Sequence, residues 1–127
     1  MNIYVAGPWL DREEVKGIAD RIAKLGHKIT HPWWEHEGEY DDAPLMKAHA
    51  AQDWAGVVNA VMVVVCDFRK SEGKAVEQGI ALAYGKPILM LHKDGVNNLN
   101  IFHNLGNYKH FHTEEALLDY LRDERQW

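Results

Sequence analysis

Glu77 is the residue of this chain best placed to do chemistry. It lies in the stretch DFRKSEGKAVEQGIALAYGKP, from Asp67 to Pro87, where an apolar run ending at Cys66 stops at a carboxylate. A charged, Gly-containing turn follows, then a segment of helical spacing in which Ala75, Val76, Gly79, Ile80 and Ala81 surround Glu77. Burial among such neighbours raises a carboxyl pKa, and hydrogen bonds can lower it again. A carboxylate so placed can act as nucleophile or general base. The plainer reading puts it on the polar, solvated side of an amphipathic helix. Asp53, set among Ala50, Ala51, Trp54, Val57 and Val58, has the same two readings: a solvated helix turn, or a second carboxylate facing Glu77 across a cleft. Asp67 ends an apolar run, a position from which strand-end carboxylates contact ligands.

Other groups of the chain have plainer readings. Gly7-Pro8-Trp9 carries one glycine where a dinucleotide fingerprint needs three, so it reads as a tight turn exposing Trp9 for stacking. His31, Glu35, His36, Glu37, Glu39, Asp41 and Asp42 lack the paired-histidine or calcium-loop spacing of a metal site and read as a solvated acidic loop. The adjacent Trp33 and Trp34 suit a lid over a flat ligand or a subunit contact. His103, His110 and His112 read as surface or interface residues. Cys66, the sole cysteine, reads as a buried small hydrophobe.

The elements that must position these groups follow from periodicity. Strands are expected at Asn2–Ala6, Lys28–His31, Val61–Asp67, Pro87–His92 and Tyr108–Phe111. Helices are expected from Arg12 to Leu25 with Asp11 as cap, from Pro44 to Asn59, from Ser71 to Tyr84, and after Thr113. Gly26 and Gly85 stop the first and third helices. The segments 32–43 and 93–106 read as irregular. The alternation of short apolar runs and amphipathic stretches predicts one small doubly wound α/β domain over residues 1–127. It is Rossmann-like or flavodoxin-like, with a mostly parallel five-stranded sheet and helices on both faces. Its strand C-termini would gather Gly7–Trp9, the Pro32 loop, Asp67–Lys74 and the Lys93 loop at one edge, where open sheets of this kind bind ligands.

With 127 residues and a net charge of -5, the chain can bury a core unaided, and neither nucleic acid nor an anionic membrane is its expected partner. Arg69, Lys70 and Lys74 could still meet one small phosphate. No apolar run approaches the ~20 residues of a membrane span, no signal peptide precedes the first strand, and an unpaired cysteine fits the cytoplasm.

The order IYVAGPW, QDWAGVVNAVMVVV, SEGKAVEQGIALAYGKPI and NNLNI, from Asn2 to Ile101, resembles the nucleoside 2-deoxyribosyltransferases and the related 2'-deoxynucleoside 5'-phosphate N-glycosidases. Gly73, Glu77, Gly79, Ala81, Gly85, Lys86 and Pro87 carry its most specific part. The resemblance implies that Glu77 attacks the anomeric carbon of a deoxyribose, that Tyr4 orients it, and that Asp53 helps activate the leaving base. Gly7, Trp9, Asp67, Ser71 and Gly73 would contact substrate. Asn98 would reach the sugar 5'-hydroxyl of a neighbouring subunit, which implies a homo-oligomer. Deoxynucleosides and nucleobases are the implied ligands, with no metal or organic cofactor. Two departures divide the signal. Ser71 stands where the transferases carry Asp, as in the phosphate hydrolases, whose serine binds the 5'-phosphate. Yet Gly7-Pro8-Trp9-Leu10 lacks the hydrolases' phosphate-binding Arg, and Asn98 follows the transferases. A non-catalytic nucleotide-binding sensor on the same fold is the reading from another class.

Overall fold

Five strands form one all-parallel sheet in the computed structural model, which describes residues 1–37, 41–96 and 100–123. They are β1 (Asn2–Ala6), β2 (Lys28–Ile29), β3 (Met62–Asp67), β4 (Ile88–His92) and β5 (Tyr108–Phe111), in the order β2-β1-β3-β4-β5. The helices are α1 (Arg12–Lys24), α2 (Ala43–Asn59), α3 (Glu72–Ala83) and α4 (Glu114–Arg122). α1 packs with α4 and α2 with α3, covering both faces. β3 reads Met-Val-Val-Val-Cys-Asp and is buried throughout, as a strand covered on two faces must be. This is the doubly wound order whose ligand crevice opens between β1 and β3, where the chain's winding reverses.

The expected elements are present, with boundaries shifted by a residue or so, and two differences affect the cleft. β2 ends at Ile29 rather than His31. Thr30 turns its hydroxyl to the Gly56 carbonyl of α2, at 2.7 Å, and Pro32 has no N–H for a ladder. Asp11 does not cap α1 with its side chain. Its carboxylate instead accepts two hydrogen bonds from Arg69, at 2.7 and 2.9 Å, joining the turn after β1 to the turn after β3. Gly26 and Gly85 do adopt positive φ, 101° and 68°, at the ends of α1 and α3. Ser71 and Thr113 cap α3 and α4 by accepting from Lys74 N and Ala116 N.

No helix among the described residues is long and apolar enough to cross a membrane.

Candidate active site

β1 delivers Tyr4 to the crevice from below. Its side chain is wholly buried, and its phenol donates a hydrogen bond to Glu77 Oε2 on α3. α2 passes above Tyr4 at Gly56, the one residue type that fits there. A β-carbon on Gly56 would lie 2.8 Å from Tyr4 Cδ2 and 2.9 Å from His31 Cβ. That close approach brings Asp53, one turn earlier on α2, over the same space.

The resulting cleft has a volume of about 390 Å³ and takes its walls from Gly7, Trp9, Trp33, Asp53, Ser71, Gly73 and Glu77, among others. This suits a small organic ligand. Burial pushes the Glu77 carboxyl up to about 8, the Asp53 charge adds to the rise, and the Tyr4 hydrogen bond opposes it. Burial also raises Asp53, to about 6, with His49 opposing. Tyr4 is held well above the ordinary phenol range, first by burial and then by the charge of Glu77. The phenol therefore stays protonated and remains a donor to the carboxylate.

Seven of the nine residues singled out from the sequence converge here: Tyr4, Gly7, Trp9, Asp53, Ser71, Gly73 and Glu77. Gly7 has a structural reason as well, because a β-carbon there would meet Val15 Cγ2 at 2.6 Å. Asp67 does not line this cleft. It is buried and accepts from Lys74 Nζ at 2.6 Å, and it borders a neighbouring cavity of about 440 Å³ with Lys70, Gln78 and His103. Ser71 lies on the wall between the two cavities. Asn98 lies outside the described residues.

The loop after β2 departs most from expectation. Trp33, in a 3₁₀ turn spanning Trp33–Glu35, is not a free lid. It is 6% exposed and donates its indole N–H to the Val5 carbonyl at 2.6 Å. Trp9 and Trp34 lean on it, with ring centroids at 6.3 and 5.6 Å. His31 and His36 are half-buried and turn towards Asp53 instead of solvent. His36 stacks on His49 of α2 at 4.0 Å. Burial lowers both histidines, His36 to about 4 with help from His49 and His31. Met46, His49 and Ala50, also on the cleft wall, were missed from sequence. Their i, i+3, i+4 and i+7 relation to Asp53 was the available signal.

A doubly wound α/β protein with a phenol-bound carboxylate at the sheet's switch point is the class that fold and site define. The chain belongs to the nucleoside 2-deoxyribosyltransferase family, whose sequence pattern matches residues 3–113. No curated protein sequence matches it. Solved structures share the fold at low identity. The 2-deoxyribosyltransferase of the psychrotolerant Bacillus psychrosaccharolyticus aligns with a TM-score of 0.78 and 19% identity, covering 98% of this chain and 94% of its own. The CMP N-glycosidase of Clostridium botulinum aligns at 0.64 and 17%, covering 95% and 98%. A conserved protein of Enterococcus faecalis aligns at 0.68 and 17%, covering 96% and 97%.

Proposed function

We propose that the chain is a nucleoside 2-deoxyribosyltransferase working through a deoxyribosyl ester of Glu77. The observation that carries this reading is the Tyr4 hydrogen bond to Glu77 in a cleft shared with Asp53. One carboxylate oxygen is held by the phenol, leaving the other to attack.

The Glu77 carboxylate attacks C1' of the deoxyribose, and the C1'–N bond to the base breaks. Its electron pair goes to the departing base, which takes a proton from Asp53. In the second half-reaction a nitrogen of an acceptor base, or water, attacks C1' and frees Glu77, and its proton passes to Asp53. Two displacements retain configuration and split one hard step into two. Trp9 supplies a ring face for the base, and its own position is fixed by the Arg12 guanidinium 4.5 Å from its centroid. A 2-deoxy sugar suits the site because no 2'-hydroxyl withdraws electrons from the positive charge that develops at C1'.

Free deoxynucleosides are the preferred substrates in this reading. Two of the three cations near Ser71 are already engaged, Arg69 by Asp11 and Lys74 by Asp67 and the Arg69 carbonyl. The second reading, a 2'-deoxynucleoside 5'-monophosphate N-glycosidase, is favoured by Ser71 at the N-terminus of α3 beside Lys70, since helix N-termini attract phosphate. Base exchange is followed with deoxynucleosides and their monophosphates, with and without an acceptor base. Exchange is expected with the nucleosides. A tenfold or greater kcat/KM preference for the monophosphate, lost in Ser71→Ala, would move the chain to the hydrolase branch.

The active form in this reading is a homo-oligomer in which Asn98 of one subunit reaches the sugar pocket of another. Trp54 on α2, Val76 on α3 and Tyr84 just past its end, with Ile101 and Phe102 beyond β4, leave apolar area at the surface that a symmetric assembly would cover. Light scattering on active enzyme at working concentration tests this, and an active monomer would refute it.

A further inference from the structure

We propose that His31, His36 and Asp53 form a binding site for a divalent transition-metal ion of the zinc type, whose occupancy blocks base release by holding the Asp53 carboxylate in its ionised form. The second half of this statement rests on the role given to Asp53 above. The first half rests on geometry alone.

His31 Nε2 and His36 Nε2 are 2.7 Å apart, and each is 3.5 Å from Asp53 Oδ1. That oxygen is buried and has no hydrogen-bond partner among the described residues. Three donor atoms therefore converge on one point. A triangle with sides of 2.7, 3.5 and 3.5 Å has its corners about 1.9 Å from a common centre. Zinc holds nitrogen and carboxylate oxygen at ~2.0–2.2 Å, so an ion placed just off that plane reaches all three without moving them. Two imidazoles and one carboxylate make a known zinc ligand set, and it leaves a fourth position open.

The three ligands come from three segments whose positions are fixed by other bonds. His31 follows Thr30, whose hydroxyl is tied to the Gly56 carbonyl. His36 ends the 3₁₀ turn anchored by the Trp33 indole to Val5 of β1. Asp53 sits one turn before Gly56, where α2 lies close against Tyr4 of β1. Ligands braced in this way lose little freedom when an ion binds, which is how supporting contacts raise metal affinity. His36 and Asp53 both border the cleft, which puts the site beside the space where the leaving base would lie.

Chelator-stripped protein is titrated with zinc chloride by calorimetry, and base release is then measured with and without zinc. The expected result is one zinc ion per chain, at least ~10-fold weaker binding in each of His31→Ala, His36→Gln and Asp53→Asn, and base release suppressed by zinc and restored by EDTA. Circular dichroism confirms that each variant folds. Asp53→Asn, nearly isosteric, decides the matter should a histidine variant unfold. No zinc uptake, uptake unchanged in the three variants, or uptake lost only on substituting His92 or His110, would overturn the site. Zinc bound at the triad with base release unaffected would overturn the competition. Absent base release in the metal-free protein would instead count against the reaction proposed for Glu77, while the calorimetry still decides the site.

Discussion

Gly56 and Tyr4 meet so closely that α2 and β1 could not keep their spacing with any side chain at position 56, since an added β-carbon would be 2.8 Å from Tyr4 Cδ2 and 2.9 Å from Tyr4 Cε2. The atoms in the way are ring carbons of a buried residue, which cannot swing aside. Glycine inside a helix costs ~1 kcal/mol relative to alanine, and here that cost permits the contact that sets Asp53 over Glu77.

Gly56→Ala is therefore expected to lower both stability and turnover. Overpacking costs ~1–3 kcal/mol, part of it offset by the better helix propensity of alanine. A lowered Tm together with a reduced kcat/KM, larger than Tm alone explains, is the expected pair of results. A Gly56→Ala protein with wild-type kcat/KM would show that the α2–β1 spacing does not position the site.

Burying Glu77 destabilises the fold at high pH. Its carboxyl titrates at about 8 in the folded chain against an ordinary value of 4.5, so the folded state holds this proton more tightly than the unfolded state does. The contribution is most favourable below 4.5 and is lost as pH rises through about 8. Glu77→Gln has no proton to lose. Its stability relative to wild type should grow between those pH values and level off above them. Because Glu77 still meets solvent at the cleft, the gain is expected near ~2 kcal/mol rather than the full value of the shift. Urea melts at acid and alkaline pH measure it, and a gap that does not widen with pH would contradict the assignment.

Much of this site was legible in the sequence because its parts are strand ends and helix turns. The apolar run of β3 placed Asp67, and helical spacing placed Glu77 and Asp53. Tyr4 was less visible, because a tyrosine inside an apolar strand looks like core until its phenol is seen to meet Glu77. The segment after β2 was legible only in part, its Glu35, Glu37, Asp41 and Asp42 being exposed as their charge suggests. Its histidines suggested solvent and its Trp33-Trp34 pair a lid or a subunit contact, whereas the Trp33 indole finds the Val5 carbonyl and His31 and His36 turn inward. Local composition carries no record of such a long-range bond. Gly56 carries a signal of its own, since an interior helix glycine marks a close approach. Asp11 has the right residue type for a cap, and the competing partner, Arg69, lies 58 positions along the chain.

The pH dependence of the reaction follows from the same carboxyl together with that of Asp53. In the proposed reaction Glu77 must be ionised while Asp53 holds a proton. Burial raises the two to about 8 and about 6, so kcat/KM of metal-free enzyme should rise with pH to about 6, stay level, and fall above about 8. The Tyr4 hydrogen bond lowers the Glu77 value. Tyr4→Phe should therefore move the falling limb to higher pH and depress the level stretch near neutrality by ~10-fold for each pH unit that limb moves. A limb that stays in place, or moves towards acid, would remove Tyr4 from its orienting role.

The central claim is a covalent bond between Glu77 and the sugar. Protein mixed with a 2'-deoxynucleoside in the absence of acceptor base, quenched in acid and analysed by mass spectrometry, should gain the mass of one deoxyribosyl group. Peptide mapping should place that mass on Glu77, and Glu77→Ala should show neither the adduct nor base release while keeping its fold. A folded Glu77→Ala protein that still releases base at the wild-type rate, or an adduct mapped to another residue, would contradict the account.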